Sequence, residues 1–162
     1  IRDVLLGATP AAALQDERYL FICLLGGGVA FVATPHVARH WNAVMVADAI
    51  GLGVFAAIGA AKGAAYGLGP IGVMMMAALS ATGGGAVRDV LVGVVPAVIR
   101  HDFYATAALI GGGLYLGASF AGISEALALW IAALSTTGLR FFAMYGNVRL
   151  PVARLPDEDG TP

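Results

Sequence analysis

Val87-Arg88-Asp89-Val90-Leu91-Val92-Gly93-Val94-Val95-Pro96-Ala97 is the second copy of a pattern that opens the chain as Ile1-Arg2-Asp3-Val4-Leu5-Leu6-Gly7-Ala8-Thr9-Pro10-Ala11. The two align without a gap. The same offset of 86 residues carries Asp16 onto Asp102 and Gly26-Gly27 onto Gly112-Gly113. One shift that accounts for every one of these matches is an internal duplication, and a duplication sets topology before any motif is read.

The copies sit in a strongly apolar chain. Hydrophobic residues make up 59% of the 162, charged residues only 12%, and the mean hydropathy is +0.85. A soluble domain of this size would lack the polar residues to cover its surface. Charges are also clustered, leaving uncharged runs from Gly63 to Val87 and from Phe103 to Ser124. Each is long enough to cross a hydrocarbon layer of roughly 30 Å as a helix. Five spans are predicted, over residues 19–37, 43–65, 70–95 with a break inside, 103–121 and 126–148, after a partial helix over 1–14. Turn formers and polar residues separate them, as in Gln15-Asp16-Glu17-Arg18 and Gly67-Leu68-Gly69-Pro70. The expected fold class is therefore an all-α integral membrane protein, with the bilayer as its environment.

From Arg2 to Arg88 the chain leaves the membrane, crosses it twice, and re-enters halfway along the next span. That is an odd number of passages, so the two repeats lie upside down relative to each other. Inverted repeats with interrupted helices mark transport proteins, whose pathway forms near the midplane. Residues 43–86 have no counterpart before Ile1, which predicts a further helix and a half ahead of this sequence and a protomer of three plus three plus one helices. The organisation expected is one transmembrane domain over 1–148. Within it, 1–42 close the first repeat, 43–122 form the second, and 123–148 the last helix. A disordered tail over 149–162 follows. Arg39, Arg100, Arg149 and Arg154 outnumber Arg18 and Lys62 on the other side, which puts the C-terminus in the cytoplasm.

The chemistry concentrates around Ser80-Ala81-Thr82-Gly83-Gly84-Gly85 and the Arg88-Asp89 that follows. Three glycines in mid-span weaken a helix and Pro96 removes a backbone donor, so the helix is expected to bend or break there, with Gly93 and Pro96, and Gly7 and Pro10 in the first copy, as hinges. Carbonyls released in a bilayer are tolerated only against protein or a wet cavity. Water or a hydrated cation would meet them, helped by the Ser80 and Thr82 hydroxyls. Equally, the glycines let helices approach closely. Arg88-Asp89 and Arg2-Asp3 place ionisable groups within the spans. Neighbouring helix residues diverge by about 100°, so each arginine is expected to pair with another helix, lining a pathway or locking the repeats together. Asp48 and Lys62 lie on nearly one face, roughly 21 Å apart, and could bound a single polar route. Lys62 is the candidate gating charge, whereas Arg140 is expected to snorkel to the cytoplasmic face.

Gly26-Gly27-Gly28, Gly111-Gly112-Gly113 and the Gly59/Gly63 spacing read as helix-packing faces. His36 and His40 read as interfacial loop residues rather than metal ligands, and Cys23 has no partner for a disulfide. No H-E-x-x-H, G-x-S-x-G or Walker pattern occurs, which argues against a protease, a hydrolase or an ATP-driven pump. The sequence calls for no cofactor, metal, nucleic acid or soluble protein partner.

The duplicated [IV]-R-D-V-L-x-G-x-x-P element, preceded in its second copy by Gly83-Gly84-Gly85, resembles the prokaryotic trimeric intracellular cation (TRIC) channels, which overlap a bacterial glycine-transporter-like membrane family. The stretch from Asp48 to Pro96 resembles that family's second repeat. The resemblance implies a seven-helix protomer, a homotrimer with a pore in each subunit, and permeation of K+ and Na+. It also gives Lys62 the place of a basic residue on the fourth helix that influences conduction. The alternative is a secondary transporter of a small solute such as glycine, for which inverted repeats serve equally well.

Overall fold

The structure, a computed structural model, describes residues 2–39, 41–100 and 103–146. Ile1, His40 and the expected tail over 149–162 lie outside the described residues. Eight helical segments are present, three of them a single turn long: α1 (Arg2–Leu5), α2 (Ala12–Gln15), α3 (Glu17–Arg39), α4 (Trp41–Ala65), α5 (Pro70–Leu91), α6 (Ala97–Arg100), α7 (Ala105–Phe120) and α8 (Glu125–Gly146). The five long helices fall on the five predicted spans.

The residue distribution is that of a soluble protein turned inside out. Ala49, Ala56, Ala60, Ala77, Ala107, Ala108, Ala128 and Ala132 are wholly buried, while Phe120 and Ile71 are each 79% exposed. In lipid there is no water for leucine or phenylalanine to escape. Helices therefore associate through small residues that allow close backbone contact. Over Met45–Ala65, Pro70–Leu91 and Glu125–Gly146 the helices are long and apolar enough to cross a membrane. The chain is accordingly a multi-pass membrane protein.

α4, α5, α7 and α8 form the bundle, with α4 touching the other three. Glycine sets the closest crossings. A Cβ at Gly59 would stand 2.6 Å from Ser80 Oγ and 2.5 Å from the Met76 carbonyl oxygen on α5. One at Gly53 would collide with Thr137 Oγ1 and the Ala133 carbonyl oxygen on α8, and one at Gly111 with Thr136 Oγ1. Gly26, Gly27 and Gly28 differ: a Cβ there meets nothing within 4 Å. Their expected packing contact is therefore not made among the described residues.

The repeated element proves to be a device for ending a helix. In the second copy Gly93 N–H donates to the Val90 carbonyl at 3.0 Å and Val94 N–H to the Asp89 carbonyl at 2.9 Å. In the first, Gly7 donates to Val4 at 3.1 Å and Ala8 to Asp3 at 2.8 Å. This is the Schellman arrangement, and it needs a left-handed residue at the glycine. Gly93 has φ +75° and Gly7 φ +68°. The first glycine of R-D-V-L-x-G is thus fixed by backbone geometry, and Pro10 and Pro96 follow where the helix has already stopped.

The two copies meet opposite ends of α4. Asp3 contacts Lys62 near its C-terminus, whereas Arg88 shares a cavity with Asp48 near its N-terminus. That is the placement inverted repeats require.

Candidate functional site

Lys62 Nζ donates to Asp3 Oδ1 at 2.7 Å, and Arg2 Nε donates to the same oxygen at 2.9 Å. Asp3 is buried, and its carboxylate meets two cations in an apolar setting, one from α1 and one from α4. The first repeat is thereby tied to the second. At the far end of α4, the buried Tyr104 donates its hydroxyl to Asp48 Oδ1 at 3.1 Å. The Arg140 guanidinium lies over the same ring, 4.9 Å from its centroid.

Arg140 corrects an expectation. It does not reach out to the membrane surface: it is only 8% exposed, and its Nε has no hydrogen-bond partner among the described residues. The negative face of the Tyr104 ring meets part of its charge instead. The pairing expected of the two Arg-Asp dipeptides also differs. Arg88 Nε and Nη2 reach back to Asp89 Oδ1 at 3.0 and 2.8 Å, as Arg2 does to Asp3. The divergence of adjacent residues holds for their Cα–Cβ bonds, but a long arginine stem in the final helical turn can wrap around it. Asp89 is buried while the Arg88 side chain is 66% exposed.

Nor does α5 break at its glycines. The helix is continuous from Pro70 to Leu91, and the interruption falls beyond Leu91, at Gly93. A glycine inside a helix costs about 1 kcal/mol relative to alanine. An unpaired backbone group in hydrocarbon costs several, so the ladder is kept. Thr82 is buried and donates its hydroxyl to the Ala78 carbonyl one turn back, at 2.8 Å. Its proton is committed within the helix. Ser80 Oγ is buried without a hydrogen-bond partner among the described residues.

Two cavities open along α4 and α5. One, of about 480 Å³, is lined by Arg2, Asp3, Ala11, Ala13, Leu79, Gly83 and Val87 together with Phe55, Ser80 and Gly84. The other, of about 300 Å³, is lined by Asp48, Gly51, Leu52, Ala81, Gly85, Arg88 and Tyr104, again with Phe55, Ser80 and Gly84. The structure thus gathers Arg2, Asp3, Ser80, Gly83 and Gly84 at one cavity, and Asp48, Ser80, Gly84, Gly85 and Arg88 at the other. Lys62 reaches the first through Asp3. Thr82, Gly7, Gly93, Pro10 and Pro96 line neither, and Asp89 bears on the second only through Arg88. Gly84 has open space where a Cβ would be: it keeps the wall shared by the two cavities bare.

Sequence reasoning missed Phe55 and Tyr104 as lining residues and misplaced Arg140. For Arg140 a signal existed, since it is the one charge after Glu125 in a helix of 22 residues, and an ionisable group inside a span normally faces the protein. Tyr104 carried none, because its role depends on three helices meeting.

Comparison with known proteins follows the same lines. The family described as "Glycine transporter" matches residues 1–35 and 45–119. A UPF0126 membrane protein of Deinococcus radiodurans is 41% identical over 160 residues, covering 97% of this chain and 74% of the relative. A UPF0126 membrane protein of Vibrio cholerae is 35% identical, covering 96% of this chain and 65% of the relative. The UPF0126 inner membrane protein YadS of Escherichia coli K12 is 31% identical, with coverages of 99% and 78%. Among solved structures, a TRIC cation channel superimposes with a TM-score of 0.90 at 35% identity, covering 96% of this chain and 76% of that one. The TRIC orthologue from Rhodobacter sphaeroides gives 0.79 at 30% identity, with coverages of 91% and 76%. With the family pattern spanning most of the chain and the same fold recurring in the solved channels, the chain belongs to the TRIC channel family, in its bacterial glycine-transporter-like branch.

Proposed function

We propose that the chain is the conducting protomer of a cation channel of the bacterial inner membrane, assembled as a homotrimer with a separate route through each subunit and with K+ and Na+ as permeant ions. The observation that carries this reading is the pair of cavities along α4 and α5, one holding the Asp3 carboxylate and the other Asp48, within a bundle otherwise cored by alanine. Acidic groups bordering a narrow aqueous route favour cations, and their basic neighbours set how strongly an ion is held. The solved channels of the same fold support it, as do the inner-membrane relatives.

In this reading Lys62 controls access. Its ammonium holds Asp3 at the rim of the larger cavity, and moving a charge through the membrane field is worth about 2.3 kcal/mol per 100 mV. The Arg2–Asp3 pair lines one entrance and Arg88, paired with Asp89, the other, while Gly7–Pro10 and Gly93–Pro96 are the points about which the helix ends pivot. The C-terminus lies in the cytoplasm, and the protein is a passive conduit rather than an enzyme.

One observation favours a second reading. The 480 Å³ cavity presents an arginine and an aspartate side by side, a pair that could receive the carboxylate and ammonium of an amino acid such as glycine, as a secondary transporter would. Planar-bilayer recording of the purified protein separates the two. Currents far above carrier turnover, reversing with the K+ gradient, support the channel. Saturable glycine counterflow in liposomes without such currents would replace it with the carrier.

A further inference from the structure

Along α4, Asp48, Phe55 and Lys62 are each seven residues apart. Seven residues are close to two helical turns, so the three lie on one stripe with roughly 10 Å of rise between neighbours. The stripe reads acid, aromatic, base. Its acidic end opens into the smaller cavity, and its basic end is tied to Asp3 at the larger one. Phe55 stands midway.

Among the described residues, three are common to the two cavities: Phe55 on α4 and Ser80 and Gly84 on α5. Ser80 and Gly84 are one turn apart on α5, so the shared wall is a single level of the bundle. At that level Gly84 contributes no side chain and the Ser80 hydroxyl is buried without a hydrogen-bond partner among the described residues. The large group there is the phenyl ring, 54% exposed among the described residues because both cavities open beside it.

Resting on the channel reading, we infer that Phe55 is the closure point of the route, a single aromatic plug between two polar vestibules. A narrow apolar neck holds water poorly, and without water no ion crosses. Turning the ring aside opens the neck toward the side-chain-free surface of Gly84.

The test uses the full-length protein in planar bilayers, with Phe55→Ala and Phe55→Trp beside the unaltered protein. Phe55→Ala should raise K+ current several-fold through a higher open probability, and Phe55→Trp should lower it, without either changing the reversal potential. A second measurement stands apart from folding of the alanine variant. In a Cys23→Ala background, Phe55→Cys should react with a small water-soluble thiol reagent and lose current as it does. Unaltered currents in Phe55→Ala and Phe55→Trp, or a Phe55→Cys thiol that reacts without effect on current, would overturn the inference while the channel reading stands. An unaltered protein that passes no current defeats the channel reading, and this inference with it.

Discussion

Two glycines on the same helix pair should respond to alanine in opposite ways. Gly84 lies in the wall the two cavities share and Gly59 where α4 meets α5, so a methyl at Gly84 enters open space and a methyl at Gly59 meets the Met76 carbonyl oxygen at 2.5 Å and Ser80 Oγ at 2.6 Å. Gly84→Ala removes the entropic penalty of a helical glycine, worth about 1 kcal/mol, with no steric cost. It should therefore melt at or above the temperature of the unaltered protein in detergent. Its methyl projects about 1.5 Å into the wall the two cavities share. If that narrowing adds about 1 kcal/mol to the barrier for a partly dehydrated ion, unitary K+ current falls about fivefold, and Gly84→Leu should abolish it. Gly59→Ala should instead force α4 from α5 and lose about 1–3 kcal/mol of stability. The assays are thermal unfolding followed by loss of a monodisperse chromatographic peak, and single-channel recording. Unchanged current in Gly84→Leu, or a lowered melting temperature in Gly84→Ala, would refute the placement of Gly84 on the route.

Lys62→Gln removes one of the two cations on Asp3 but leaves Arg2 at 2.9 Å. It should cost about 1 kcal/mol, discounted for the partial exposure of the pair, and should shift the voltage dependence of opening in bilayer recordings, a shift that Lys62→Arg largely restores. Tyr104→Phe keeps the ring under Arg140 but frees Asp48 of its 3.1 Å donor. Melting should drop by about 1 kcal/mol equivalent, whereas Tyr104→Leu, which also strips the cation–π contact, should lose about 1 kcal/mol more. Gly93→Ala forces a side chain into a φ of +75° and should destabilise by about 1–2 kcal/mol. Gly93→Asn should recover part of that, because asparagine tolerates the left-handed region.

The long helices were legible because lipid imposes a length and a composition that leave little choice. The duplication was legible because Arg2-Asp3 and Arg88-Asp89 carry their neighbours with them in register. The copies encode two things at once: the Arg-Asp pair of R-D-V-L-x-G is ionic, and its glycine answers to a helix end. Gly83-Gly84-Gly85 looked like a break because propensities come from water, where a released carbonyl finds a partner at once. Phe55 was invisible among other apolar residues, since only the position of α5 makes it a shared wall. Arg140 was taken for a surface anchor because the Tyr104 ring that receives it stands 36 residues earlier in the chain.

The alanine interior has a mechanical corollary. Surfaces built from methyl groups have shallow relief, and Ala56, Ala60, Ala77 and Ala108 offer no deep socket in which a neighbour's side chain is trapped. Displacing α5 along α4 by one residue's rise, about 1.5 Å, nonetheless has to lift Ser80 and Met76 out of the recesses that Gly59 and Gly63 leave for them. The methyl faces alone would pass over each other as smooth plates do, so these two side chains act as pegs that hold the register of α4 against α5.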